Sequence, residues 1–126
     1  MVIGLRLGLL MVACGGSGSI DVSTPVSTQF PATASAQPDV QVEIKLFNFQ
    51  NKEITIPAGT RVTWINKDGS EHSVTSGTPE NPDGAFDSDF FNKDETFSMV
   101  FDTPGEYHYF CRRHNHMQGV VIVTPP

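Results

Sequence analysis

The chain has 126 residues and a formal net charge of −6, with 14 Asp+Glu against 8 Lys+Arg. That length holds one domain, and the acidic balance excludes a general nucleic-acid binder, which needs a basic face to displace counterions. Val, Ile, Thr and Phe are frequent, Gly and Pro recur every few residues, and no long stretch repeats every 3.6 residues. The composition therefore predicts an all-β domain.

The N-terminus reads as a secretory signal over residues 1–13, with Arg6 followed by the apolar run Leu7 to Ala13. The run falls short of the roughly 20 apolar residues that span a bilayer. Small Ala13 precedes Cys14, and Gly15 and Gly16 follow. This resembles a bacterial lipobox, with Met11 where that motif usually carries Leu. The resemblance implies cleavage before Cys14 and a lipid on its side chain, which would anchor the chain at the membrane outside the cytoplasm. Of the 24 positions from Gly15 to Pro38, 17 are Gly, Ser, Thr, Pro or Ala. Such a segment buries too little surface to offset its ordering entropy, so 14–38 is expected to be a flexible tether spanning roughly 27 Å as a coil.

From Asp39 the pattern changes, and 39–126 is expected to be the folded domain. Val40, Val42, Ile44 and Leu46 alternate with Gln41, Glu43, Lys45 and Phe47, the signature of a half-buried strand with the first set inward. Glu53 to Ile56 and Thr60 to Asn66 predict two more strands, with Val62 and Trp64 inward. Lys67-Asp68-Gly69 predicts a turn, and His72 to Thr75 begins another strand. Residues 76–95, rich in Gly, Pro, Asn and Asp, predict a long loop whose acids form a solubilising surface. Thr96–Phe101, Glu106–Cys111 and Gly119–Val123 supply the last strands. Many short strands separated by turn signals indicate a sandwich or barrel.

A domain of this size often gains stability from a bound metal, which directs attention to candidate ligands. Cys111-Arg112-Arg113-His114-Asn115-His116-Met117 gathers a thiol, two imidazoles and a thioether. Thiolate and thioether with imidazole suit copper, and two His and one Cys with a weak axial Met describe a blue copper site. The second histidine must come from elsewhere, and His72 stands at a strand entry about 40 residues upstream. The two cysteines, Cys14 and Cys111, are not read as a disulfide, because each has its own explanation.

Val62-Thr63-Trp64-Ile65-Asn66, then His72, then Gly105-Glu106-Tyr107-His108-Tyr109-Phe110-Cys111 resembles the cupredoxin (type 1 blue copper) family, and the resemblance covers residues 40–124. The Cys111-x-x-His114-x-x-Met117 spacing is amicyanin-like. The resemblance implies a Greek-key β-sandwich holding one type 1 copper at one end. His72, Cys111 and His114 would be equatorial ligands, Met117 the axial ligand, and Ser73 and Asn66 would stand behind them. It implies an electron carrier, not an enzyme, with transient redox partners as donor and acceptor; a copper-delivery protein is the alternative. The chain is expected to be a monomer. Ser73 departs from the family pattern, in which an Asn follows the first ligand His and bonds to the ligand loop. That departure bears on loop rigidity and reduction potential.

His116 is expected beside the site, where it binds stray metal or meets a partner. Arg112 and Arg113 either latch an acidic partner or balance nearby acids. Tyr107 and Tyr109 share the parity of Cys111 and should face the core, with His108 on the surface.

Overall fold

The structure is a computed structural model that describes Gly15 and residues 36–126. The signal segment, Cys14 and the tether up to residue 35, apart from Gly15, lie outside the described residues.

The described residues form nine strands, most of them marked by alternation of apolar and polar residues: β1 (Asp39–Lys45), β2 (Asn48–Phe49), β3 (Glu53–Pro57), β4 (Thr60–Asn66), β5 (Thr75–Thr78), β6 (Asn81–Asp87), β7 (Thr96–Phe101), β8 (Gly105–Phe110) and β9 (Gln118–Thr124). One sheet has the order β2-β1-β4-β7 and the other β3-β9-β8-β5-β6. β1 runs parallel to β4, and β3 runs parallel to β9. Successive side chains of a strand point to opposite faces. Val42 and Ile44, Ile54 and Ile56, Val62 and Trp64, and Val121 and Val123 therefore bury in pairs between the sheets. Trp64 lies at the centre, edge-on to Tyr109 with ring centroids 5.3 Å apart. The absence of a side chain at Gly119 makes room for Tyr109, since a Cβ there would stand 2.4 Å from its Cζ. Among the described residues, Trp64 Nε1 and Tyr109 Oη are buried without a hydrogen-bond partner.

The predicted all-β sandwich is observed, with three local differences. Leu46 does not continue the inward set of β1 and is 75 % exposed. The chain turns there, with Leu46 and Phe47 both left-handed at φ 54° and 55°, and Phe49 enters the core instead. Non-glycine residues rarely adopt that conformation unless the surroundings impose it. Here Asp68 imposes it: its two carboxylate oxygens accept the Leu46 and Phe47 N–H groups, each at 2.8 Å. Second, His72 makes only an isolated bridge, to Phe91, and the strand proper begins at Thr75. Third, residues 76–95 are not one long loop. β5 and β6 form an antiparallel hairpin with a register shift between Thr75 and Gly77. Gly77, at φ 96°, allows the partner strand to approach so closely that a Cβ would lie 2.5 Å from the Asn81 carbonyl oxygen.

Candidate metal centre

The loop between β8 and β9 closes as two successive tight turns. The His114 N–H donates to the Cys111 carbonyl at 3.2 Å, and the Met117 N–H donates to the His114 carbonyl at 2.8 Å. Each is the i to i+3 bond of a β-turn, so the three-residue spacing of Cys111, His114 and Met117 is the spacing of turn ends. The Cys111 N–H then donates to the Met117 carbonyl at 3.0 Å, which ties the loop's two ends together. Cys111 and Met117 are fully buried, while His114 is partly exposed.

His72 approaches from the bridge to Phe91 and is also fully buried. Its Nδ1 lies 3.8 Å from the Cys111 Sγ, and the His114 Nδ1 lies 3.7 Å from the same sulfur. The donor atoms of His72, Cys111 and His114 all fall within 4.8 Å of one another. First-row metal bonds of about 2.3 Å to sulfur and about 2.05 Å to nitrogen, set roughly 120° apart, place S and N about 3.8 Å apart. A tetrahedral angle would give about 3.6 Å. The observed separations fit donors to a single ion at angles in this range, and the set of one sulfur and two imidazoles suits copper. Met117 belongs to the same buried cluster as Cys111.

The groups behind these donors fix their orientation. The His72 Nε2 lies 3.0 Å from an Asp68 carboxylate oxygen. A carboxylate can only accept, so the proton resides on Nε2 and the Nδ1 lone pair is directed toward Cys111. Burial pushes the His72 imidazole pKa down, against the upward pull of Asp68. Burial would raise the Asp68 carboxyl, but the N–H groups of Phe47 and Leu46, together with His72, hold it below the usual carboxylate range. Asn66 is fully buried and binds the Ser70 and Phe91 carbonyls through Nδ2, while its Oδ1 accepts the Asp68 N–H. Asn66 thus braces the turn that carries Asp68 and the segment bridged to His72. Ser73 donates its N–H toward the Cys111 Sγ at 3.4 Å, and its hydroxyl accepts the Arg112 N–H at 3.0 Å.

The surface around this end mixes exposed apolar side chains with charged ones. Leu46, Phe47 and Phe90 are the exposed large hydrophobic residues of the described chain. The Phe47 ring stands edge-on to both imidazoles, 5.6 Å from His72 and 5.1 Å from His114. The Arg112 and Arg113 guanidinium groups lie over Phe90 at 4.8 and 4.9 Å. Arg112 pairs with Asp87 and Asp89, and Arg113 pairs with Glu71. Asp87 and Asp89, expected as solubilising acids, thus hold a loop arginine. His116 is exposed, and its Nε2 lies 3.1 Å from the Phe47 carbonyl. His108 is on the surface, and Tyr109 is buried in the core.

Asp68 and Phe47 escape a reading by motif. The one signal for Asp68 is an acid four residues before a candidate ligand histidine. Phe47 carries no signal, because only the fold brings it to the site.

A two-sheet sandwich with a buried thiol and two imidazoles at one end defines a blue copper type of protein. The chain belongs to the plastocyanin/azurin family of copper binding proteins, whose family model matches residues 36–124. It is 31% identical over 118 residues to the amicyanin of Paracoccus versutus, covering 93% of this chain and 89% of that protein. It is 37% identical over 83 residues to the plastocyanin of Scenedesmus fuscus, covering 60% of this chain and 85% of that one. A solved structure of a reduced amicyanin variant superposes with a TM-score of 0.63 at 27% identity, covering 71% of this chain and 85% of the other. The protein binds one copper and transfers electrons; it is not an enzyme.

Proposed function

We propose that His72, Cys111 and His114 are the equatorial copper ligands, that Met117 is the axial ligand, and that electrons enter and leave at the exposed edge of His114. The observation that carries this reading is the convergence of the three donor atoms within 4.8 Å, with the exposed Phe47 ring edge-on to both imidazoles. When bound, the copper supplies a one-electron couple between Cu(I) and Cu(II). The chain's own residues do the rest. Cys111, His72 and Met117 are shut off from water, and two turns and the Asp68 and Ser73 contacts hold the donors in place. A rigid, dry donor set changes little between oxidation states, which keeps electron transfer fast. Of the two imidazoles only His114 reaches the surface, so it is the shorter way out.

Leu46, Phe47 and Phe90 form the docking surface for a transient redox donor and acceptor, in keeping with the small interfaces of such encounters. Arg112, Arg113 and His116 border that surface and set its polarity, although both arginines already have acidic neighbours. The protein works as a monomer outside the cytoplasm, tethered to the membrane by a lipid on Cys14. The short apolar run ending at Ala13 supports the last point. A Cys14→Ala chain should move from the membrane fraction to the soluble fraction; an unchanged distribution would remove the anchor from the account. A copper-delivery role fits less well, because fully buried Cys111 and His72 obstruct exchange of the ion.

Replacing Cys111 by Ser tests the ligand set. The variant should fold, lose the intense visible band and bind copper weakly. A Cys111→Ser protein that kept the band would refute the assignment.

A further inference from the structure

The loop turns satisfy the N–H groups of Cys111, His114 and Met117 from within, but the Arg112 N–H, next to the thiolate ligand, must find its acceptor elsewhere. It finds the Ser73 hydroxyl, at 3.0 Å. Ser73 is fully buried, and its oxygen lies 3.1 Å from the Thr75 Oγ1. Thr75 in turn donates to the Asp87 Oδ1 at 3.2 Å. Thr75 and Asp87 are register partners across the β5–β6 pair, which fixes their approach. Asp87 also faces Arg112, whose Nε lies 3.4 Å from Oδ2.

The direction of this chain is determined by its end. An ionised carboxylate has no proton, so the Thr75 hydroxyl must donate to Asp87. Its oxygen can then receive the Ser73 hydroxyl proton, which leaves a Ser73 lone pair for the Arg112 N–H. Each donated proton polarises the next bond and strengthens it. A lone serine hydroxyl rotates freely; this one has a single favoured setting, with its lone pair toward the loop.

We propose that Thr75 and Asp87 are positioning residues for the copper loop, acting through Ser73 to clamp the backbone at Arg112. The proposal rests on the ligand assignment above for its link to copper, but the relay itself can be tested without the metal. In the copper-free full-length chain, amide hydrogen exchange at Arg112 should quicken on the order of tenfold in Thr75→Val, the scale of one lost neutral hydrogen bond. Exchange at Val62, in the opposite sheet, should not change. Thr75→Ser, which keeps the hydroxyl, should retain protection. In a Ser73→Ala background, Thr75→Val should have no further effect at Arg112. With copper bound, Thr75→Val should release the ion to a chelator several times faster, and Thr75→Ser should not. If Thr75→Val does not fold, Asp87→Ala, which removes the acceptor at the surface end of the relay, takes its place and should also quicken Arg112 exchange. Unchanged Arg112 exchange in the folded variant, or an undiminished effect in the Ser73→Ala background, would overturn the proposal. Failure of the ligand assignment would show separately, as colour retained in Cys111→Ser.

Discussion

Asp68 stands directly behind His72, and its removal has a calculable consequence. Its carboxylate lies 3.0 Å from the His72 Nε2. Adding the width of an imidazole ring and a metal–nitrogen bond of about 2 Å puts the charge roughly 7 Å from the ion. At an effective dielectric of about 20, a unit charge at that distance is worth roughly 2.4 kcal/mol for each unit change in the charge of the ion. The Asp68 side chain is 11% exposed, so solvent screens part of this. Halving the figure gives about 1.2 kcal/mol as a lower bound. The negative charge favours Cu(II) over Cu(I), so neutralising it must raise the potential. For a one-electron couple, Asp68→Asn should raise the reduction potential by roughly 50–100 mV, taking 59 mV per tenfold change. Asn keeps an oxygen that can accept from His72, so the fold and the visible band should persist. The assay is a potentiometric titration followed at the visible band. A shift smaller than about 10 mV in a folded, coloured variant, or a fall in potential, would refute the role given to Asp68.

Other consequences concern stability. Copper at about 1,000 times its dissociation constant should stabilise the fold by about 4 kcal/mol, read as a rise in melting temperature that a chelator reverses; an unchanged melting temperature would mean that the ion does not bind the native state. Burial pushes the Tyr109 hydroxyl up to about 12 from its ordinary 10.0. The unfolded chain therefore loses this proton first as pH rises. The contribution is whole below about pH 10 and falls by about 1.4 kcal/mol per pH unit toward about pH 12. In urea titrations at about pH 9 and about pH 11, Tyr109→Phe should show less of this loss than the parent chain; equal losses would place the effect elsewhere. Gly119→Ala drives a Cβ into the Tyr109 ring and should destabilise by about 1–3 kcal/mol. Gly77→Ala meets backbone atoms and a left-handed φ, so it should cost more than Gly119→Ala. The reverse order in denaturant midpoints would contradict the packing described.

The donor set was legible in the sequence because most of it is local. Cys111, His114 and Met117 lie on two consecutive turns, so sequence spacing and spatial spacing coincide. His72 was a candidate because a second histidine was needed from elsewhere, and the family resemblance supported it, since nothing local ties it to a loop 39 residues on. Alternation revealed most strands, because one face of each sheet packs inward. It misplaced Leu46 because the turn there is held from a distance, by Asp68 oxygens 22 residues away. It missed the β5–β6 hairpin because Gly77, Pro82 and Gly84 read as loop residues, although Gly77 is what allows the two strands to approach. The Ser73 relay was illegible for the same kind of reason. Thr75 and Asp87 meet only once the register of a bulged pair is known.

One observation would decide whether Cys111 and the two imidazoles form a redox copper site. The full-length chain should be loaded with Cu(II), its visible spectrum recorded, and a reductant and then an oxidant added. An intense band in the orange-red that bleaches on reduction and returns on oxidation is the expected result. A colourless or weakly absorbing copper complex would mean that the Cys111 thiolate does not bind the metal in this fold, and would contradict the assignment of the site.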